Sequence, residues 1–201
     1  MREVIGIKIY LIRHGETDWN VAGKLQGRED IPLNKDGIEQ AHVCGRALSG
    51  IEVTGILSSP LERARDTAKI IAGHIGYKGG VAVDYELTER DYGELSGKTP
   101  QDIFRPEEGT PGLEPLEDVI KRFKTAVINN AGEHSGDIII VSHGASINAL
   151  LKDVSGGEVG SGKTTLKNAG ISILDFKHGE LKLEDFNLSA DEYIMKFKLN
   201  T

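Results

Sequence analysis

Cysteine is nearly absent: Cys44 is the only one in 201 residues, so no disulfide can close within the chain. A reducing compartment is the default expectation, and Cys44 itself reads as a small buried apolar residue. There is no Cys-x-x-Cys and no His-Glu-x-x-His, so the six histidines carry no zinc-site spacing and no metal is expected. Long apolar runs are missing too. The N-terminal stretch Val4–Ile12 is short and interrupted by Lys8, well under the roughly 20 residues that span a bilayer, and nothing has the layout of a signal peptide. The cytoplasm is therefore the expected location, without a membrane partner. Positive charge is in deficit, 24 basic against 31 acidic side chains for a net −7, which argues against nucleic acid or an anionic surface as partner. A site for an anionic substrate must then gather cations locally, against the overall field.

What is present reads as an ordinary globular protein, 38% apolar and 27% charged, expected to form a single domain over residues 1–201. A chain of this length can bury roughly 70% of its unfolded surface and needs no metal or disulfide staple. Val4–Ile12 is rich in β-branched residues and reads as a buried strand. Asn34 is placed to cap a helix with Ile38, Ala41, Cys44 and Leu48 on one face. A short strand is expected at 54–58, and Ser59-Pro60 looks like the opening of a helix marked by Leu61, Ala64, Ala68, Ile71 and Ile75. A third strand is expected over 81–87, then a loop with a helical turn to Glu114, then a helix marked by Leu116, Val119, Ile120, Phe123 and Val127. The apolar run 137–141 suits a central strand covered on both faces. A helix over 145–154, a strand over 171–176 and a hairpin partner over 181–186 complete the pattern. Strands alternating with helices predict an α/β fold: three layers, α/β/α, around a mostly parallel, mixed sheet.

Ligands of open α/β sheets bind at the carboxyl ends of the strands. The residues after the expected strands are Arg13-His14-Gly15-Glu16-Thr17, Ser58-Ser59-Pro60-Leu61-Glu62-Arg63, Thr88-Glu89-Arg90 and Ser142-His143-Gly144. Two histidines, two or three arginines and a carboxylate converge on one edge, with no metal-ligand pattern among them. Phosphoryl transfer without a metal needs such a set. Arginine forks hold the charge on the non-bridging oxygens, and a neutral imidazole attacks. A second histidine, if protonated, can donate to the phosphate, and a carboxylic acid can supply the leaving group's proton. Glycines beside both histidines let the backbone approach the ligand.

Arg13-His14-Gly15-Glu16-Thr17-x-Trp19-Asn20 resembles the signature of the histidine phosphatase superfamily, in the branch that holds cofactor-dependent phosphoglycerate mutase and related phosphatases. Ser58-Ser59-Pro60-Leu61-x-Arg63-Ala64-x-x-Thr67-Ala68, Leu87-x-Glu89-x-x-x-Gly93 and Ser142-His143-Gly144 are similar to its further motifs, in family order. The resemblance runs from about residue 7 to about residue 175 and implies a phosphoglycerate mutase-like fold. It makes His14 the phosphorylated nucleophile, Arg13, Arg63 and His143 the phosphate clamp, and Glu89 the acid and then the base. Asn20 would add a hydrogen bond, while Gln26, Gly27 and Gly144 would line the bound substrate. Arg65 is off the family's arginine position and reads as a surface charge. Trp19 reads as a packing residue, and His42, His74, His134 and His178 as surface or helix-packing residues.

Hydrolysis of a small phosphomonoester is the favoured reading. The segment from Glu89 to Lys98 looks mutase-like, yet the mutases carry a long insertion with adjacent arginines for a substrate carboxylate. Here only Lys121-Arg122 is adjacent, on an expected helix where both can be solvated. A mutase would use 2,3-bisphosphoglycerate; a phosphatase needs no cofactor. A non-catalytic module binding phosphorylated partners is the third reading. Lys24, Arg28, Tyr92, Lys98 and Arg105 are expected around the outer rim, and a homo-oligomer is left open. Residues 157–164 fit the P-loop expression Gly-x-x-x-x-Gly-Lys-Thr, but a helix precedes the match and a strand follows it. That order is inverted for a working P-loop, so a surface loop is expected.

Overall fold

The computed structural model describes residues 6–99, 102 and 109–199. Six strands form one sheet: β1 (Ile7–Arg13), β2 (Gly55–Ser58), β3 (Ala82–Val83), β4 (Ile138–Ser142), β5 (Ile171–Lys177) and β6 (Glu180–Leu188), in the order β3-β2-β4-β1-β5-β6. The first four in that order run parallel, while β5 is antiparallel to β1 and β6 to β5. The sheet is thus mixed, as expected. Helices cover both faces: α1 (Asp18–Val21), α2 (Lys35–Ala47), α3 (Glu62–Ile75), α4 (Leu116–Gly132), α5 (Gly144–Val154) and α6 (Ala190–Phe197). None is long and apolar enough to cross a membrane among the described residues.

The apolar runs Ile9–Ile12 of β1 and Ile138–Val141 of β4 have a simple cause. Ile9, Leu11, Ile138 and Ile140 enter one core with Phe123 of α4 and Leu150 of α5. Tyr10, Ile12, Ile139 and Val141 enter the other with Cys44, Leu48, Ile71 and Tyr193. Alternate side chains point to opposite faces and both faces are dry, so no polar alternation survives. Cys44 is buried there, and burial pushes its thiol up to about 12.

Several elements depart from the sequence expectation. Ile38 is 43% exposed, because α2 turns Gly37, Ala41, Cys44, Gly45 and Ala47 inward instead. The reason is a backbone crossing. A Cβ on Gly37 would lie 2.0 Å from Glu16 O, and one on Gly15 would lie 2.3 Å from Gly37 O, so α2 meets the loop after β1 face to face at two glycines. Helix α3 starts at Glu62, not at Ser59-Pro60: Asp30 Oδ1 accepts from Glu62 N (2.7 Å) and caps it from a distant loop. Strand β3 is only two residues long, because Asp84 accepts from Glu86 N (2.9 Å) and turns the chain into a 3-10 turn, Tyr85–Leu87. Helix α6 was not foreseen, although Ser189 and Glu192 form a reciprocal capping box. The P-loop-like segment follows α5 and leads to β5, with Lys163 Nζ donating to Gly157 O of its own loop (2.5 Å). His42 and His74 meet between α2 and α3 (2.9 Å), and Arg65 is half-buried rather than a surface charge.

Candidate active site

Register builds the site. Arg13 is level with Ser142 on β1 and β4, and Ser58 with Val141 on β2 and β4, so His14, His143 and Ser59 all leave the sheet at one edge. The ring centroids of His14 and His143 are 5.2 Å apart. His14 is buried, and Arg63 Nε donates to its Nε2 (3.3 Å). Its other ring nitrogen, Nδ1, lies 2.6 Å from Gly15 O. A carbonyl only accepts and a guanidinium only donates, so these two partners set the tautomer: Nδ1 carries the proton and Nε2 keeps its lone pair. Burial, then Arg13, then Arg63 hold His14 well below its ordinary value of 6.5, against the opposing pull of Gly15 O. His14 is neutral, with its free nitrogen among cations.

Arg63 is fixed by backbone carbonyls, NH1 donating to Glu29 O (2.6 Å) and NH2 to Gly27 O (2.8 Å). Two of its five N–H groups therefore remain for a ligand. Burial brings Arg63 down to about 10, still protonated at neutral pH. Gly27 adopts φ +53°, where a side chain would be strained, and a Cβ there would come 3.2 Å from the Tyr92 ring. Its role is thus to present a carbonyl to Arg63. Arg13 donates through NH1 to Leu166 O (2.5 Å), and a Cβ on Gly144 would rest 3.4 Å from Arg13 Nε.

His143 Nε2 meets Ser59 Oγ (2.7 Å). Burial first, then Arg63, His14, Arg13 and Arg122, lower its pKa well below 6.5. Without a ligand His143 is therefore neutral and offers one N–H. The buried side-chain atoms lacking a hydrogen-bond partner among the described residues include Arg13 Nε, His143 Nδ1 and Gln26 Oε1. Orphaned polar atoms are costly in a dry interior, and two of these, Arg13 Nε and His143 Nδ1, belong to the histidine–arginine cluster.

Glu89 is buried at the N-terminus of α5. Its Oε1 accepts from Arg90 N (2.9 Å), Ser146 N (2.9 Å) and Ser146 Oγ (3.1 Å), and its Oε2 from Ala145 N (3.0 Å). Asn20 turns its amide oxygen to Thr17 N (3.1 Å) and receives Asn168 Nδ2 (3.2 Å), leaving its own amide nitrogen to donate elsewhere. The glycine beside His14 packs against α2. Among the rim residues, Lys24 Nζ lies 5.4 Å from the Trp19 ring centroid, Arg28 lies 3.5 Å from Glu114, Lys98 is exposed, and Arg105 falls outside the described residues. Trp19 packs on Gly97, a Cβ on which would lie 3.3 Å from the indole. Beside Glu89, a groove of about 480 Å³ runs along α5, walled by Arg90, Tyr92, Ala145, Asn148, Lys152 and Gly162.

Three contributors were missed: Ser59, Ser146 and Arg122. Arg122 is not solvated as expected but sits against Glu114 at 2.6 Å. Only Ser146, a hydroxyl in the first turn of a helix, has a local signal. Among the described residues no group of three or more His, Cys, Asp or Glu side chains is placed to hold a metal ion.

Known proteins are similar to this chain along most of its length. The uncharacterized phosphatase PhoE of Bacillus subtilis (strain 168) is 37% identical over 186 residues, 90% of this chain and 95% of that protein. The probable phosphoglycerate mutase GpmB of Salmonella typhi is 30% identical over 189 residues, 87% of each. The crystal structure of phosphoserine phosphatase from Entamoeba histolytica, in complex with 3-phosphoglyceric acid, superposes with a TM-score of 0.79 at 32% identity, covering 90% of this chain and 97% of that one. The model of the histidine phosphatase superfamily (branch 1) matches residues 9–189. With that match, the phosphoglycerate mutase-like sheet and two neutral histidines facing each other among arginines, the chain belongs to the histidine phosphatase superfamily, branch 1.

Proposed function

We propose that this protein is a phosphatase that hydrolyses a small phosphomonoester through a phosphohistidine on His14, without a metal. One observation carries the reading: His14 directs a bare Nε2 at the guanidinium that would hold the phosphate, with its proton committed to Gly15 O. In the first step Nε2 attacks phosphorus, the P–N bond forms, the ester P–O bond breaks, and Glu89 gives the leaving oxygen its proton. In the second, water attacks phosphorus, Glu89 takes a proton from it, and the P–N bond breaks to release inorganic phosphate. The spare N–H groups of Arg63, the orphaned Arg13 Nε and one N–H of His143 neutralise charge on the non-bridging oxygens. The remainder of the substrate lies toward the groove beside Glu89, where Arg90 and Lys152 favour an anionic or polyhydroxylated metabolite.

Mutase activity would need cations for the carboxylate of a bound phosphoglycerate. Between Lys98 and His143 the only adjacent basic pair is Lys121-Arg122, and Arg122 is bound to Glu114 and backbone carbonyls. That favours hydrolysis. The test is turnover of a phosphometabolite panel in EDTA, with 3-phosphoglycerate plus 2,3-bisphosphoglycerate included, and trapping of labelled enzyme by an alkaline denaturing quench. Release of inorganic phosphate, label on His14 and no turnover by His14→Ala are expected; a His14→Ala enzyme that still turns over excludes this nucleophile.

A further inference from the structure

Arg122, on α4, is far in sequence from every motif of the site, yet each of its donors is used. Nε and NH2 grip the two carboxylate oxygens of Glu114 (2.6 and 3.0 Å). NH1 donates to Glu86 O (2.7 Å) and Thr88 O (2.8 Å), and NH2 also donates to Glu89 O (3.1 Å). Five N–H groups meet five acceptors, which is the full capacity of a guanidinium. Three of those acceptors are carbonyls of the strip that carries Glu89. Glu114 holds the same strip from its other end: Asp91 N donates to its Oε2 (3.0 Å), its backbone carbonyl accepts from Arg90 Nε (2.8 Å), and its backbone N–H donates to Asp91 O (2.9 Å). Residues 86–91 have no strand of their own, because β3 ends at Val83. A segment without ladder hydrogen bonds must satisfy its carbonyls in another way: Arg122 takes those of Glu86, Thr88 and Glu89, while Ser142 Oγ donates to Leu87 O (2.8 Å) and Ser146 Oγ also to Thr88 O (2.9 Å).

We infer that Arg122, clamped by Glu114, is a positioning residue for the proton-transfer step: it fixes the backbone of residues 86–89 and thereby the carboxyl of Glu89 relative to the leaving oxygen. The inference rests on Glu89 acting as the acid. Arg122 touches no reacting atom, and lysine cannot replace it, since one ammonium cannot reach three carbonyls and a carboxylate at once. A loosened strip lets Glu89 drift from the leaving group while His14, Arg13 and Arg63 stay in place on β1 and α3.

Leaving-group chemistry separates this role from a general structural one. An aryl ester such as p-nitrophenyl phosphate leaves without help, whereas an alkyl ester such as glycerol phosphate needs the acid. Arg122→Lys is expected to lower kcat on glycerol phosphate about ten- to a hundredfold and to change kcat on p-nitrophenyl phosphate less than about threefold. Combined with Glu89→Gln it is expected to add nothing further on glycerol phosphate, because the group it positions is already gone. Glu114→Gln keeps the volume and weakens the clamp, and it carries the same comparison should circular dichroism show Arg122→Lys unfolded. Equal losses on the two esters, or losses that multiply with those of Glu89→Gln, overturn the inference. If Glu89→Gln itself slows both esters alike, the acid assignment falls and the inference with it. If Glu89→Gln separates the esters and neither clamp variant does, the inference alone falls.

Discussion

At the scale of single residues, the chemistry turns on which ring nitrogen of His14 is bare and whether the ring is charged. Burial and two guanidinium groups keep the ring neutral well below pH 6.5. For p-nitrophenyl phosphate, the acid limb of kcat/KM, corrected for the ester's own ionisation, is therefore expected below pH 6.5. A limb at or above 6.5 would mean that the arginines do not act on the imidazole as described. Strand-end reading pointed to His14, Arg13, Arg63, Glu89 and His143 as the proposed site, because each follows a short apolar run or sits in a recognisable string. The partners of Ser59, Arg122 and Ser146 escaped it for a physical reason. Their contacts span 84, 34 and 57 positions in the chain, and a lone serine or arginine carries no periodicity that announces such a partner.

At the scale of elements, the buried strands were legible because β1 and β4 are covered on both faces and rich in isoleucine. Ends and orientations were not. Helix α3 takes its cap from Asp30 rather than from its own leading serine, and α2 rotates its glycines inward where a period count favoured Ile38. Both outcomes are set by partners remote in sequence, which local propensity cannot weigh. The crossing of Gly15 and Gly37 yields a sharp expectation. Gly15→Ala puts a methyl group 2.3 Å from a backbone oxygen that no side-chain rotation can move. The cost should be about 1–3 kcal/mol of stability or more, read from urea unfolding, together with a loss of kcat as His14 shifts. A Gly15→Ala protein with unchanged stability and turnover would mean the two backbones are not in contact.

Across the whole molecule, the net charge of −7 sits around a core site that carries two arginines and two uncharged imidazoles. Both imidazoles have folded pKa values well below 6.5, so on acidification the unfolded chain takes up protons before the folded one does. Stability conferred by keeping them neutral is complete above pH 6.5 and is lost as pH falls from there toward the folded values. Each can add a slope of up to roughly 1.4 kcal/mol per pH unit in that window. Urea unfolding at pH 7 and pH 5 should show the loss, and His143→Gln should flatten the slope whatever its effect at pH 7. An equally steep acid loss in His143→Gln would assign that loss to other groups. The bare glycine crossing has a bearing on redesign as well. The loop that carries His14 is seated directly on the backbone of α2, so no side chain is there to trim or enlarge at the contact. The groove side, from Arg90 and Tyr92 along α5 to Lys152, is built mostly of side chains. Libraries aimed at a new phosphoester should vary that side and leave the glycines untouched.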